Sequence, residues 1–278
     1  HSSRPRAEKL AKLLSGIHET EISPDITADP TADSVMELTS LIRRQQYDWV
    51  IAIGGGSVLD SAKAAATLAC QPNTVHDYLR GSRTIENPGV PLVAIPTTAG
   101  SGSEVTPYAS ITDRQTMKKQ SLTHDNLYPR YAVLDPALTV SLPPRQTAIS
   151  GLDALCHSIE GFWSKNATPV TDAFGLAATR LILGSLEEAF RSSDDLAVRQ
   201  RMLHGSLLAG MTISNAMTTA VHSVSYPLTV HFGVPHGLAC GTLLPPFIRY
   251  NSGAIEGDKE SQLVNALGLK SMDHLADT

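Results

Sequence analysis

Residues 48–70, DWVIAIGGGSVLDSAKAAATLAC, decide the fold. The apolar run Val50, Ile51 and Ile53 stops at Gly54, Gly55 and Gly56, and the alanine-rich segment beyond them has the composition of a helix. A strand feeding a helix through a glycine turn is the opening of a βαβ unit. Glycines let the main chain approach an anion with no Cβ in the way, and the unpaired amides of a helix N-terminus suit a pyrophosphate. The pattern GGGSxxD is not GxGxxG, so the Rossmann fingerprint does not transfer to it. Alone, such a turn is structural about as often as it binds phosphate.

Working outward, amphipathic RAEKLAKLL and ADSVMELTSLIRR precede this stretch, and a second apolar run, PLVAIPTT, follows at 91–98. This alternation of helix and strand predicts a parallel α/β sheet. The hydroxyl- and glycine-rich loop PTTAGSGSEVT, 96–106, also follows a strand. Two such loops at strand carboxyl ends define a crevice of the kind that takes a nucleotide. From Pro143 and Pro144 onward strand signals vanish, and three helical windows follow: TAISGLDALCHSIEGFW, VTDAFGLAATRLILGSLEEAF and LAVRQRMLHGSLLAGMTISNAM. Prolines open helices but do not continue strands. The expected organisation is an α/β nucleotide-binding domain over 1–142 and an all-α domain over 143–278.

Composition agrees with this division. At 278 residues, 42% hydrophobic and 18% charged, the chain is long enough for two cores. A net charge of -5 and a pI near 6.0 argue against a nucleic-acid partner, because no basic run could neutralise a phosphate backbone. No apolar run reaches the roughly 18 residues that span a bilayer, and HSSRPRAEKL lacks the apolar region of a secretory signal, so no membrane partner and a cytoplasmic location are expected. Cys70, Cys156 and Cys240 lack CxxC spacing, which suggests neither a disulfide framework nor a cysteine-based zinc site. They read as buried reduced thiols.

Asp153 and His157 are four residues apart in SGLDALCHSIEGFW, so on a helix both emerge on one face and can share an ion. His222, in AVHSVSY, and His236, in GVPHGLACG beyond Gly233 and Pro235, complete a set of three imidazoles and one carboxylate. That set suits Zn2+ or Fe2+, whereas Mg2+ and Ca2+ prefer more oxygens. A lone Asp-x3-His pair is a weak signal, and His204 and His231 are assigned no role.

The chain resembles the iron-containing (group III) alcohol dehydrogenases. The similar stretches are DWVIAIGGGSVLDSAKA, PLVAIPTTAGSGSEVTPYASITD, LDPALTVSLPP, TAISGLDALCHSIEGF and HSVSYPLTVHFGVPHGLACGTLLP, in the family's order and close to its spacing. The resemblance implies a dinucleotide-binding α/β domain, a helical metal-binding domain with the site between them, and a homo-oligomer, a dimer. It places metal ligands at Asp153, His157, His222 and His236, the set already proposed from residue type and spacing. It places cofactor contacts at Gly55, Gly56, Ser57, Asp60, Thr97, Thr98, Ser103 and Lys119. The implied activity is hydride transfer between NAD(P) and a small aldehyde or alcohol at an Fe2+ (or Zn2+) centre.

The resemblance also implies a strand ahead of the first residues and more helices after the last ligand, so partial coverage of the family's length is expected. Many members carry a further histidine four residues after the third ligand, where this chain has Tyr226, a candidate proton donor or a packed aromatic. The family position that often holds an acid for the cofactor ribose falls near Pro24 and Asp25, which leaves NADH against NADPH open. FWSKNATP and HSVSYPLTVHFGVPHG look most like a branch reducing phosphonoacetaldehyde to 2-hydroxyethylphosphonate, with Lys165 or Arg83 as cations for the phosphonate. Two other readings fit the architecture: a lyase of the dehydroquinate synthase type, whose ligand set differs, and a non-catalytic nucleotide-binding module.

Overall fold

The computed structural model of the protein describes residues 3–23, 25–192, 194–255 and 257–278. They divide into two compact units, His1–Thr97 with Ser103–Asp135, and Thr98–Gly102 with Pro136–Thr278.

In the first unit, helices α1 (Arg4–Leu14) and α2 (Ala32–Gln45) precede strand β1 (Val50–Gly54), which runs through the glycine turn into α3 (Gly56–Leu68). Then come α4 (Val75–Leu79), β2 (Leu92–Pro96), β3 (Tyr108–Asp113), β4 (Lys118–Thr123) and β5 (Tyr131–Ala132). Helix α2 starts where the Thr31 hydroxyl accepts from the Ser34 amide and Ser34 reciprocates at the Thr31 amide, a complete capping box. Strands β1, β2 and β5 form the parallel sheet expected from the sequence, in the order β1-β2-β5, with Val50 opposite Leu92 and Gly54 opposite Pro96. Strands β3 and β4 depart from the all-parallel expectation: they pair antiparallel, Tyr108 opposite Thr123 and Asp113 opposite Lys118. The short link 114–117 is the physical reason, since parallel neighbours need a crossover of a dozen or more residues.

Helix α3 is the centre of this unit. Its small residues Ala62, Ala64, Ala65 and Ala66 are buried on all sides, which lets α2, β1, β2 and β3 pack closely around it. One charge sits in that apolar helix. Lys63 is 1% exposed and its ammonium donates to the Ser103 and Thr106 carbonyls, both at 2.9 Å, and to the Ser103 and Thr106 hydroxyls at 3.0 and 3.2 Å. Burial draws Lys63 down to about 8, against the attraction of Asp60 and Glu104. The lysine thus replaces water for four oxygens of the 103–106 loop.

The second unit is all helix: α5 (Pro144–Trp163), α6 (Pro169–Leu183), α7 (Leu186–Arg191), α8 (Leu196–Ala216), α9 (Ala220–Phe232), α10 (His236–Asn251), α11 (Lys259–Leu267) and α12 (Met272–Asp277). Pro144 occupies the first turn of α5, where its missing N–H costs nothing. The window read as one helix over VTDAFGLAATRLILGSLEEAF is two, because α6 closes at Gly184 and α7 restarts after Ser185. Helix α5 is the hub, packed by α6, α8 and α10, and Cys156, Ile159 and Phe162 are wholly buried in it. Among the described residues no helix is long and apolar enough to cross a membrane.

Replacing Lys63 by Met keeps the volume and removes the donor to four buried oxygens. Urea unfolding should show the α/β unit weakened by roughly 1–3 kcal/mol, the scale of buried acceptors left unpaired, with the exposed control Lys118→Met unchanged.

Candidate metal centre

Three helices supply the centre. Asp153 and His157 lie one turn apart on α5, His222 is in the first turn of α9, and His236 is the first residue of α10. Gly233, left-handed at φ 68°, ends α9, and Pro235 follows to open α10. Helix α10 then approaches α5 at Gly237, where a Cβ would stand 2.0 Å from the Ile149 carbonyl oxygen and 3.1 Å from the Asp153 Cβ. Only glycine allows this contact, and the contact holds His236 over Asp153.

The carboxylate and the imidazoles converge. Asp153 Oδ1 is 3.5 Å from His222 Nε2, 3.6 Å from His236 Nε2 and 3.9 Å from His157 Nε2. These separations are long for hydrogen bonds. They match the roughly 3.4 Å edge of a tetrahedron whose donors stand about 2.1 Å from one ion. Asp153 Oδ1 and His222 Nε2 are both buried with no hydrogen-bond partner, which is the state of atoms arranged for an ion. The donor set, carboxylate oxygen and imidazole nitrogen, therefore fits a divalent metal of the Fe2+ or Zn2+ kind.

The charge states of Asp153 and His157 fit the same assignment. Burial pushes Asp153 up, but the imidazoles of His157, His222 and His236 hold its carboxyl far below the usual range, so it is an anion. Burial lowers His157, leaving the neutral ring a ligand requires. His157 also stacks on His222, with ring centroids 4.6 Å apart.

Glu160 was not anticipated. It lies on α5 one further turn along the face of Asp153 and His157, wholly buried, and its carboxylate is hydrogen-bonded to His222 Nδ1. The same carboxylate accepts from the Thr219 amide at 2.8 Å, the Thr219 hydroxyl at 2.6 Å and the Val221 amide at 3.0 Å. It thus satisfies the N-terminus of α9, which has no cap of its own, and orients His222 so that Nε2 faces Asp153. Burial acts against its charge, but His222 and Thr219 hold the carboxyl below its usual range. The spacing Asp153, His157, Glu160 was the available signal, one helical face over two turns.

Of the cysteines read from sequence as buried reduced thiols, Cys156 and Cys240 are buried and Cys70 is exposed; the Cys240 sulfur lies near the group, within 4.8 Å of a donor atom of each of Asp153, His222 and His236. Tyr226 is half-buried beside His236, ring centroids 5.6 Å apart. His204 and His231 are exposed.

In the α/β unit, Gly55, Gly56 and Ser57 form the N-terminus of α3, which has no side-chain cap, so its first amides and the positive end of the helix stay available. The Thr97 amide donates to the Gly54 carbonyl at 2.9 Å, drawing the end of β2 alongside that turn. Asp60 and Ser103 are engaged with each other at 2.6 Å, and Asp60 also accepts from the Ser110 amide at 3.0 Å. Lys119 pairs at 2.9 Å with Asp29, a residue that the sequence reading passed over; the Asp29 amide donates to the Ser57 hydroxyl at 3.3 Å. Thr98 belongs to the helical unit. Of the ribose-position pair, Pro24 lies outside the described residues, and Asp25 pairs with Arg4 at 3.4 Å. Arg83 and Lys165 are both exposed.

Residues 2–136 match the iron-containing alcohol dehydrogenase family, and residues 147–278 match the Fe-containing alcohol dehydrogenase family, C-terminal. The chain is 40% identical over 253 residues to long-chain-alcohol dehydrogenase 1 of Geobacillus thermodenitrificans, which covers 90% of this chain and 63% of that protein. It is 37% identical over 263 residues to phosphonoacetaldehyde reductase of Streptomyces viridochromogenes, covering 92% of this chain and 66% of that protein. Sulfoacetaldehyde reductase of Bifidobacterium kashiwanohense, solved in complex with NAD+, superposes with a TM-score of 0.92 at 35% identity, over 98% of this chain and 72% of that one. The chain thus spans a little under two thirds of the length of these two curated relatives, at 63% and 66%.

Glu160→Gln keeps the shape but sets an amide against His222 Nδ1. Metal affinity measured by competition with a chromogenic chelator should fall roughly 10- to 100-fold, the usual cost of losing the partner that orients a metal-binding histidine.

Proposed function

The chain belongs to the iron-containing alcohol dehydrogenase family, and on that premise we propose that it is a metal-dependent, NAD(P)-linked aldehyde reductase and alcohol dehydrogenase. One observation carries the reading: a buried, ionised Asp153 whose Oδ1 has no hydrogen-bond partner and faces the Nε2 atoms of His157, His222 and His236. When bound, a divalent ion supplies Lewis acidity toward a carbonyl oxygen, and a nicotinamide carries the hydride.

The residues of this chain do the positioning. Asp153, His157, His222 and His236 hold the ion, and Glu160 sets the tautomer of His222 by accepting from Nδ1. The amides of Gly56 and Ser57 take the cofactor pyrophosphate, as helix N-termini do for anions. Asp60, Lys63 and Ser103 keep the neighbouring loop in place. Lys119, with Asp29, lies next to Ser57 and is assigned to the cofactor side of the site. Tyr226, against the His236 ring, is the hydroxyl assigned to donate a proton to the product oxygen.

The proposed substrate is a small aldehyde, with phosphonoacetaldehyde the specific candidate. Its support is likeness to two reductases whose named substrates are two-carbon aldehydes bearing an anion. Lys165 or Arg83 is the cation proposed for that anion.

Chelation should abolish aldehyde reduction, and Fe2+ or Zn2+ should restore it; a retained rate in metal-free protein would refute the scheme. In the reconstituted protein phosphonoacetaldehyde should outpace propanal and lactaldehyde in kcat/KM, and the reverse order removes the phosphonate assignment. Steady-state rates with NADH and NADPH fix the cofactor preference.

Tyr226→Phe should lower kcat by about 10²-fold, the scale of general acid catalysis, with metal content unchanged. Wild-type kcat across pH in that variant would leave the tyrosine as packing beside His236.

A further inference from the structure

Asp29 has a left-handed backbone, φ 52°, in the segment that enters α2. Few side chains accept such a φ, although Asp and Asn do so more readily than most. Contacts from three elements hold it there. The Asp29 amide donates to the Ser57 hydroxyl in the first turn of α3 at 3.3 Å. The next residue, Pro30, accepts at its carbonyl from the Thr112 amide of β3 at 2.9 Å. The Asp29 carboxylate accepts from the Lys119 ammonium of β4 at 2.9 Å. Because Thr112 and Lys119 are cross-strand partners, this segment, the hairpin and the start of α3 form one frame. A strained residue so over-determined by its surroundings is typical of ligand sites.

The two charges of the pair differ in access to water. The Lys119 side chain is 6% exposed and that of Asp29 57%. An ammonium with so little water needs an anion beside it, and Asp29 supplies one. A single residue separates that ammonium from Ser57, where the uncapped first amides of α3 stand ready for a pyrophosphate. We propose that Asp29 competes with the dinucleotide for Lys119, so that the ion pair opens when the cofactor phosphates bind and residue 29 sets the affinity of the site. The proposal rests on the cofactor reading above. On binding, Lys119 exchanges one anion for another; no covalent bond changes and no proton moves. The exchange costs about what the ion pair is worth, which is modest because one partner is exposed.

Asp29→Asn removes the charge while keeping the shape and the tolerance for a left-handed backbone. In metal-loaded protein titrated with NADH and followed by nicotinamide fluorescence, Kd should fall roughly 2- to 5-fold, the scale of such a pair. The gain should shrink as added salt screens the charges. Lys119→Gln should weaken NADH binding, and in that background Asp29→Asn should leave Kd nearly unchanged, because the two residues act as a pair. A Kd that is unchanged or raised in Asp29→Asn overturns the competition, and so does a gain that persists undiminished without Lys119. A gain confined to Asp29→Gly, which frees the backbone as well as removing the charge, assigns the effect to strain and overturns it too. Failure of the wild type to bind NADH at all removes the cofactor reading and this inference with it.

Discussion

A carboxylate buried among imidazoles is the constraint on which the helical unit depends. Asp153 is ionised, inaccessible to water at Oδ1 and surrounded by three histidines from three helices. An isolated charge in such a place would cost many kcal/mol and would instead neutralise. Here the imidazoles hold the charge, and their convergence requires α5, α9 and α10 to keep one arrangement. The packing is built accordingly: glycine at 237 lets the backbone of α10 rest against the Ile149 carbonyl, so the position of His236 is set by main chain rather than by a flexible side chain.

Glu160 extends the same logic outward. One carboxylate accepts from a histidine ring, a hydroxyl and two backbone amides, so the start of α9 and the orientation of His222 cannot vary independently. Its negative charge lies at the positive end of the α9 dipole, which offsets part of its burial. Lys63 is the counterpart in the α/β unit, a buried cation whose three protons meet loop oxygens that no water reaches. In both units a single buried charge ties a loop or helix start to a central helix. Such a tie holds a site geometry more tightly than apolar contact, because a hydrogen bond loses strength with angle as well as distance.

The alternation of helix and strand around DWVIAIGGGSVLDSAKA, the parallel pairing of β1 with β2, and the all-helical second half were legible in the sequence because they follow from local period and from glycine and proline chemistry. So was the candidate ligand set, in part: the step from Asp153 to His157 is one turn of a helix, while His222 and His236 were joined to it by residue type and by family likeness. The β3–β4 hairpin was missed because periodicity does not report strand direction; the short link between the strands does. The break at Gly184 was missed because a continuous apolar period hides a helix end.

The sequence by itself determined which segments are strand or helix, where the chain exposes amides to an anion, and which residue types are available to hold a metal. Only the tertiary structure decided how those residues meet. Glu160 and Thr219 are 59 positions apart, and no local pattern joins them until α9 docks on α5. Cys240 lacks the spacing of a cysteine metal motif, and it comes to lie beside Asp153, His222 and His236 through the packing of its helix, where Gly237 rests against α5. The reason is physical: a helix carries its periodicity along one dimension, whereas coordination is a condition on distances among atoms from several helices, and those distances are set by packing.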